Sequence, residues 1–525
     1  MPTLLIGPLL RHVDSRSASV WVETDQPCTV RVADAEARTF TVAGHHYALV
    51  AVTGLEPGTS TPYEVALDGD TVWPADGYPP SRIRTFPEGG DPQFSMLFGS
   101  CRMPDDPVFG ADALATFAHR MRDQDERDWP DTLMLLGDQV YADETTEATK
   151  EWLAKRRSVD EPPGQEIANF EEYTHLYHEA WRTPPVRWLM STVPTSMIFD
   201  DHDVRDDWNT SQAWRDEMSS TSWWHERERG ALASYWIYQH IGNLSPDDLA
   251  QDELYQKVTS IEGDAAELLH DFAERARQEV NGNKGTRWTY RRDFGNVRLL
   301  VIDTRSGRIL DRGARKIVSD REFEWIEENA HGDFDHLLIG SSLPWLLPHA
   351  ISHLQSMNEV ACRRPGWRGR LAEKVRQVGD LEHWASFRAS SDRLARLIER
   401  IARTDTATIS VLSGDVHHGY AARVRFPEPV KAAVYQLVCS PVHNKLPPWL
   451  RPFFRVAWWR PLAAVTRWWA HRNSEPQPVE WEKICGPYIG NMVATLRTNG
   501  RTAEMVMELA KTDTELVPLA TVPLT

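Results

Sequence analysis

The chain has 525 residues and carries 58 Lys+Arg against 76 Asp+Glu, a formal net charge of −18. With 41% apolar and 26% charged residues it is too apolar for a disordered chain, and it is long enough for two to four domains. The acidity argues against a nucleic-acid binder, because affinity for a polyphosphate rests on basic surface.

The N-terminus Met1-Pro2-Thr3-Leu4 has no basic n-region and no long apolar h-region, and no window reaches 18 uncharged apolar residues. A cytoplasmic protein without a membrane span is therefore expected. Residues 1–88 read as all-β. Ser17-Ala18-Ser19-Val20-Trp21-Val22 alternates with period two, and so do Thr29-Val30-Arg31-Val32 and Thr39-Phe40-Thr41-Val42. A turn at Pro57-Gly58 leads to Tyr63, which is placed to hydrogen-bond back across the turn, as corner tyrosines do in β-sandwiches. An immunoglobulin-like or fibronectin-like sandwich is expected, closed by a Pro/Gly-rich linker over 87–92.

From residue 93 to 525 the texture is α/β, with short apolar runs alternating with long amphipathic stretches. The runs cover 94–98, 132–136, 195–199, 297–302, 336–339 and 407–412. Residues 145–280 read as a mostly helical insertion at the mouth of a site, with Trp208, Trp214, Trp223 and Trp224 available to wall it or to pack in the core. A further helix is expected over 380–403. The five cysteines (Cys28, Cys101, Cys362, Cys439, Cys485) are odd in number and scattered, which excludes a disulfide scaffold and suits a reducing compartment.

The chemistry follows the runs. They lead into Gly99-Ser100-Cys101-Arg102, Gly137-Asp138-Gln139-Val140-Tyr141-Ala142-Asp143, Asp200-Asp201-His202-Asp203 and Ser413-Gly414-Asp415-Val416-His417. Ligands of α/β sheets bind beyond the carboxyl ends of strands. A lone Gly-Asp is a common turn and a lone Cys a common core residue. Four such ends side by side instead gather carboxylates, imidazoles, a thiol and a phenol in one crevice, and unpaired buried carboxylates cost several kcal/mol each unless cations are present.

These four strings, in this order, resemble the PhoD-like alkaline phosphatase/phosphodiesterase family, a branch of the calcineurin-like metallophosphatases; the likeness covers roughly 93–425. It implies an αββα catalytic sandwich behind the N-terminal β-sandwich, and a phosphoester hydrolase using a metal-activated hydroxide on phosphorus. It also implies a site of Fe³⁺ and Ca²⁺, with other divalent metals as alternatives. On that pattern Cys101, Asp138, Tyr141 and His417 fall on the iron. Asp138, as a bridge, falls with Asp201 and Asp415 on the second metal or metals, and Asp207 is a further ligand. Anionic sulfur and phenolate donors favour ferric iron, whereas carboxylates suit a hard ion such as Ca²⁺. Arg102 is expected to grip phosphate oxygens through its fork. His202, poised by Asp200 or Asp203, is expected to protonate the leaving oxygen, with a third metal ligand or a structural histidine as the alternatives. Asp303-Thr304-Arg305 resembles a recurrent family segment, with Arg305 either reaching substrate or paired to Asp303.

Residues 444–473 hold five Trp, six Lys/Arg and no acid. Such a stretch lies well at a membrane interface, giving peripheral contact with anionic lipid, or packs its aromatics on the catalytic body. The rival to catalysis is an anionic-lipid or polymer binder on a decayed phosphatase scaffold. A zinc enzyme of other chemistry fits less well, since the candidates include one Cys and many carboxylates.

Overall fold

The computed structural model describes all residues except 75–76, 91–92, 105–106, 279, 281–285, 312–314 and 449–450. Part of the expected linker and Trp449 lie outside the described residues.

Period-two alternation in the first 85 residues builds two four-stranded sheets. One is ordered Leu4–Val13, Ser17–Thr24, His45–Thr53, Phe40–Val42, and the other Ala35–Arg38, Thr29–Val32, Val65–Leu67, Asp70–Trp73. Val20, Val22 and Val50 from the first meet Val30, Val32 and Val65 from the second in a shared core. Successive strand residues point to opposite faces, so Leu9, Trp21, Tyr47 and Leu49 leave the first sheet on its other side and join the large core of the remaining chain. Tyr63 departs from expectation: its hydroxyl donates to the Ser191 carbonyl at 2.6 Å, on helix Pro184–Thr192, and ties the sandwich to the body instead of closing its own turn.

The body is two sheets face to face. The first runs Thr195–Ile198, Thr132–Leu136, Phe94–Gly99, Met492–Asn499, Thr502–Thr512, Glu515–Pro523, with its first three strands parallel. The second runs Tyr290–Phe294, Val297–Ile302, His336–Ser341, Thr408–Ser413, Ala433–Val438, Gly419–Arg425, Glu480–Tyr488, with four consecutive parallel strands inside it. Continuous apolar runs are required because both faces of such strands are covered. In Val297–Ile302, Val297, Leu299 and Val301 turn to the inter-sheet core, whereas Leu300 and Ile302 pack among Phe323, Ile326, Leu397 and Ile398 of the outer helices. The result is four layers, helix, sheet, sheet, helix.

The helical insertion contains the Thr195–Ile198 strand and then Gln212–Ser219, Trp224–Tyr235 and a π-helical turn at Trp236–His240. Trp208, Trp214 and Trp224 are buried in its core, and Trp223 stacks under Arg205 and Arg227. The helix expected over 380–403 is shorter, Arg388–Ala402. Asp380 takes φ +50°, and the Leu381 N–H bonds the Arg376 carbonyl at 3.0 Å, a left-handed cap that ends helix Trp367–Val378. Residues 380–387 are therefore a loop, and it reaches the site.

Candidate metal centre

All the parallel strands of both sheets open their carboxyl ends on one edge, and the loops beyond them are sewn together by backbone bonds. The Cys101 N–H meets the Gly137 carbonyl at 3.2 Å, Arg102 meets Asp138 at 3.0 Å, Ala142 meets His202 at 2.8 Å, and Gly414 meets Ser342 at 2.9 Å. Two glycines permit this approach. A Cβ on Gly137 would stand 2.5 Å from the Asp200 Cβ, and one on Gly414 would stand 2.0 Å from the Ser100 Oγ. Cys101, Asp138, Asp207, Asp415 and His417 all adopt positive φ, between +49° and +66°. Non-glycine residues are held there only where surroundings over-determine them, and such residues cluster at functional sites.

Three acidic groups stand close enough to hold cations. Ligand atoms of Asp138, Asp201 and His202 lie within 4.8 Å of one another; so do those of Asp200, Asp201 and Asp415, and those of Asp207, Asp380 and Glu382. Asp138 Oδ1, Asp200 Oδ2 and Asp207 Oδ1 are buried and find no hydrogen-bond partner among the described residues. Burial first, then neighbouring carboxylates, drive Asp138 and Asp200 far above the usual carboxyl range and Asp415 up to about 8. Orphaned oxygens on buried carboxyls are compatible with metal binding.

Cys101 Sγ lies 3.8 Å from the Asp415 carbonyl, but among the described residues neither Cys101 nor His417 belongs to those three groups. Cys101 Sγ is wholly buried, 3.1 Å from Ser100 Oγ and 3.2 Å from Ser440 Oγ, and packs with Tyr141. Burial, with Asp138 and Asp415 nearby, pushes its thiol far up, so a thiolate here requires a cation. Burial also raises the Tyr141 phenol, followed by the charges of Cys101 and Asp138, while Asn444 Nδ2 donates to its oxygen at 2.8 Å. Burial lowers His417 to about 3, leaving a neutral imidazole, the ligating form.

His202 lies 4.8 Å from the Tyr141 ring, centroid to centroid. Its Nδ1 sits 3.0 Å from Asp143 Oδ1, so its partner is Asp143, not Asp200 or Asp203. Burial would lower its pKa, but Asp143, Asp201 and Asp138 hold it well above the ordinary imidazole value. Burial would raise Asp143; His202 and the Asp206 N–H bring it down to about 2. Asp203 has a different task. Its carboxylate accepts the N–H groups of Asp138, Gln139, Val140 and Asp200 at 2.8–3.3 Å and so shapes two ligand loops.

The two arginines depart from the sequence expectation. Arg102 is buried with its Nε on Asp112 Oδ2 at 2.9 Å and Nη1 on the Ala180 carbonyl at 2.6 Å. Asp112 is the cap of helix Ala113–Arg122, so this fork fastens helices instead of facing a phosphate. Arg305 is fully buried among four carboxylates: Asp200, Glu382, Asp201 at 3.1 Å and Asp415 at 3.3 Å. Asp303 binds the Arg305 and Ser306 backbone N–H groups, not the guanidinium. Arg305 is thus the internal counter-ion of the cluster.

The sequence reading missed the loop after Gly379. It brings Asp380 and Glu382 beside Asp207, and His383 Nε2 to 2.8 Å from Asp415 Oδ2. Gln355 Nε2 lies 3.0 Å from the other His383 nitrogen. The signal available was the acid-rich Asp380-Leu381-Glu382-His383 string, read as a helix start.

The model of the PhoD-like phosphatase family matches residues 109–451, and a domain of unknown function (DUF7800) matches residues 1–85. Among solved structures, one titled "Structure of PhoD" superposes with a TM-score of 0.60 at 12% identity, over 98% of this chain and 88% of that one. A purple acid phosphatase isolated from yellow lupin (Lupinus luteus) seeds superposes with a TM-score of 0.53 at 12% identity, over 99% and 74%. At that identity the likeness is one of fold, the metallophosphatase fold. No curated protein matches the chain.

Proposed function

The chain belongs to the PhoD-like phosphatase family, and from that premise we propose that it is a metal-dependent phosphoester hydrolase whose site is built by the four strand ends. The observation that carries the reading is the set of buried carboxylates with orphaned oxygens at the shared edge of the two sheets.

The donor set suits iron beside a harder cation. Cys101, Tyr141 and His417 would hold iron, Asp138 would be shared, and Asp201, Asp415 and Asp207 would hold calcium or another divalent ion. When bound, such ions supply Lewis acidity to a phosphoryl oxygen and to an attacking water. The protein's own groups do the rest. Asn444 favours the ionised form of Tyr141 by donating to its oxygen. Arg305 offsets part of the carboxylate charge, so that the cluster stays folded and accessible to a second anion, the substrate. His202, oriented through Nδ1 by Asp143, hands a proton from its other nitrogen to the leaving alkoxide. A decayed scaffold would be expected to lose carboxylates, and here Asp138, Asp201 and Asp415 all converge.

The test is elemental analysis of protein purified without added metal, together with hydrolysis of a chromogenic phosphomonoester and phosphodiester before and after chelation. Co-purifying metal and a chelator-sensitive, metal-restored activity are expected. A metal-replete protein inert on both esters would favour the binding-protein reading.

A further inference from the structure

The basic, Trp-rich stretch is divided into two faces. Helices Arg451–Ala457 and Arg460–Asn473 dock by one of them. Trp458 is buried between His349 and Tyr420, Phe454 lies on His418, and Thr466 Oγ1 meets His353 Nδ1 at 3.0 Å. The other face is open. Trp459, Trp468 and Trp469 are 60%, 61% and 55% exposed, and Val465 is 60% exposed. Val465, Trp468 and Trp469 lie on one outward stripe at helical spacing.

Exposed tryptophans on this scale are unusual on a protein surface that meets only water. Here they sit among cations. Arg472 lies 3.8 Å over the Trp468 ring, and Arg460 is 94% exposed with its nearest carboxylate, Glu482, 3.9 Å away. A cavity of 580 Å³ beside the stripe is lined by Arg460, Arg467, Lys483 and Trp468, with Glu482 on its wall. A second helix, Trp367–Val378, also packs on His349–Cys362 and repeats the pattern. Trp367, Leu371, Val375 and Val378 are exposed along one stripe, flanked by exposed Arg368, Arg370 and Lys374, whereas its single acid, Glu373, is buried.

We propose that this face docks on an anionic lipid bilayer, with Trp459, Trp468 and Trp469 at headgroup depth and the arginine-lined cavity receiving a lipid phosphate. Tryptophan is favoured at the membrane–water boundary, and basic side chains beside it bind anionic headgroups. Setting aside the six cations of 444–473 takes the remaining charge from −18 to −24, so the rest of the chain is on balance repelled by an anionic surface to which this stretch is drawn. No helix among the described residues is long and apolar enough to cross a membrane, so the contact is peripheral. The proposal does not depend on the phosphoesterase reading.

The experiment is flotation of the full chain with vesicles of phosphatidylcholine alone and of phosphatidylcholine with phosphatidylglycerol in equal parts. Two variants accompany it, Trp459→Ala/Trp468→Ala/Trp469→Ala and Arg460→Glu/Arg467→Glu/Arg472→Glu. The wild type is expected to float with the anionic vesicles only and to be released by salt. Each variant is expected to partition at least about tenfold more weakly, at an unchanged melting temperature. The charge variant and the salt dependence carry the test should the Trp variant fail to fold. Absence of wild-type binding to anionic vesicles, or undiminished binding by the charge variant, would overturn the proposal. So would self-association in light scattering that the Trp variant abolishes while no vesicle binding occurs, since a second copy would then own the face.

Discussion

Cys101, Asp138, Asp207, Asp380, Asp415 and His417 are six of the ten non-glycine residues with positive φ among the described residues. Each such backbone costs roughly 1–3 kcal/mol; at Cys101, Asp138 and Asp415 it makes a sharp turn just past a strand end. Asp203 braces the turn at Asp138 by accepting the N–H groups of Asp138, Gln139, Val140 and Asp200. Asp203→Asn loses acceptor capacity at those N–H groups, and lower metal occupancy is expected by elemental analysis even though the side chain is not counted as a ligand. His202→Asn is expected to lower kcat by roughly 10²–10⁴-fold on an alkyl phosphoester and much less on a nitrophenyl ester, whose leaving group needs no proton. Equal losses on both would remove His202 from the acid role. The strand-end candidates stood out in the sequence because each closely follows its apolar run. The partners of His202, Arg102 and Arg305 were not, because they lie 10 to 110 positions away and are chosen by tertiary packing.

At the scale of elements, the apolar runs announced the parallel strands, and the period-two stretches announced the sandwich. The loop at Asp380 did not announce itself, because its helix-like composition is overridden by a left-handed cap that ends the preceding helix. Asn444 was visible only as the start of the Trp/Arg stretch; its contact with Tyr141 depends on the segment after strand Ala433–Val438, where Val442 and His443 bond the Ser100 and Cys101 carbonyls. A second contact between elements yields a pH dependence. Glu23, on a sandwich strand, is buried against His178 Nε2 at 2.9 Å and His45 Nδ1 at 3.2 Å, and accepts from the Tyr238 hydroxyl at 2.9 Å. Burial would raise Glu23, but the two histidines hold it below its ordinary 4.5. Burial would lower His45, but Glu23 and Glu171 hold it above its ordinary 6.5. The Glu23 contribution is complete above pH 4.5 and is lost as pH falls through its lowered pKa. The His45 contribution is complete below pH 6.5 and is lost as pH rises through its raised pKa. Thermal melts should therefore show Glu23→Gln most damaging between those values, with the gap to wild type narrowing as the solution becomes alkaline. A gap independent of pH would contradict this.

Across the whole molecule, the sandwich is bolted to the body by a cation that pairs with no carboxylate among the described residues. Arg11 is fully buried, and its guanidinium donates to the carbonyls of Thr195, Tyr238 and Gln239 at 2.6–3.0 Å. A Cβ on Gly242 would stand 2.4 Å from its central carbon. Arg11→Met leaves three buried carbonyls without donors. A loss of about 2–4 kcal/mol in urea unfolding is expected, with a single transition, because the sandwich core face that holds Trp21 is shared with the body. The acidic charge that argues against polyanions is likewise uneven at this scale: part of it is turned inward around Arg305 and the orphaned carboxylates. We propose that Asp138 is the carboxylate shared by the metal ions of this site. Hydrolysis of a chromogenic phosphoester by metal-replete Asp138→Asn tests it most directly. A loss of at least about 10²-fold in kcat/KM that persists at full metal occupancy is the expected result; a rate near that of the wild type would contradict it.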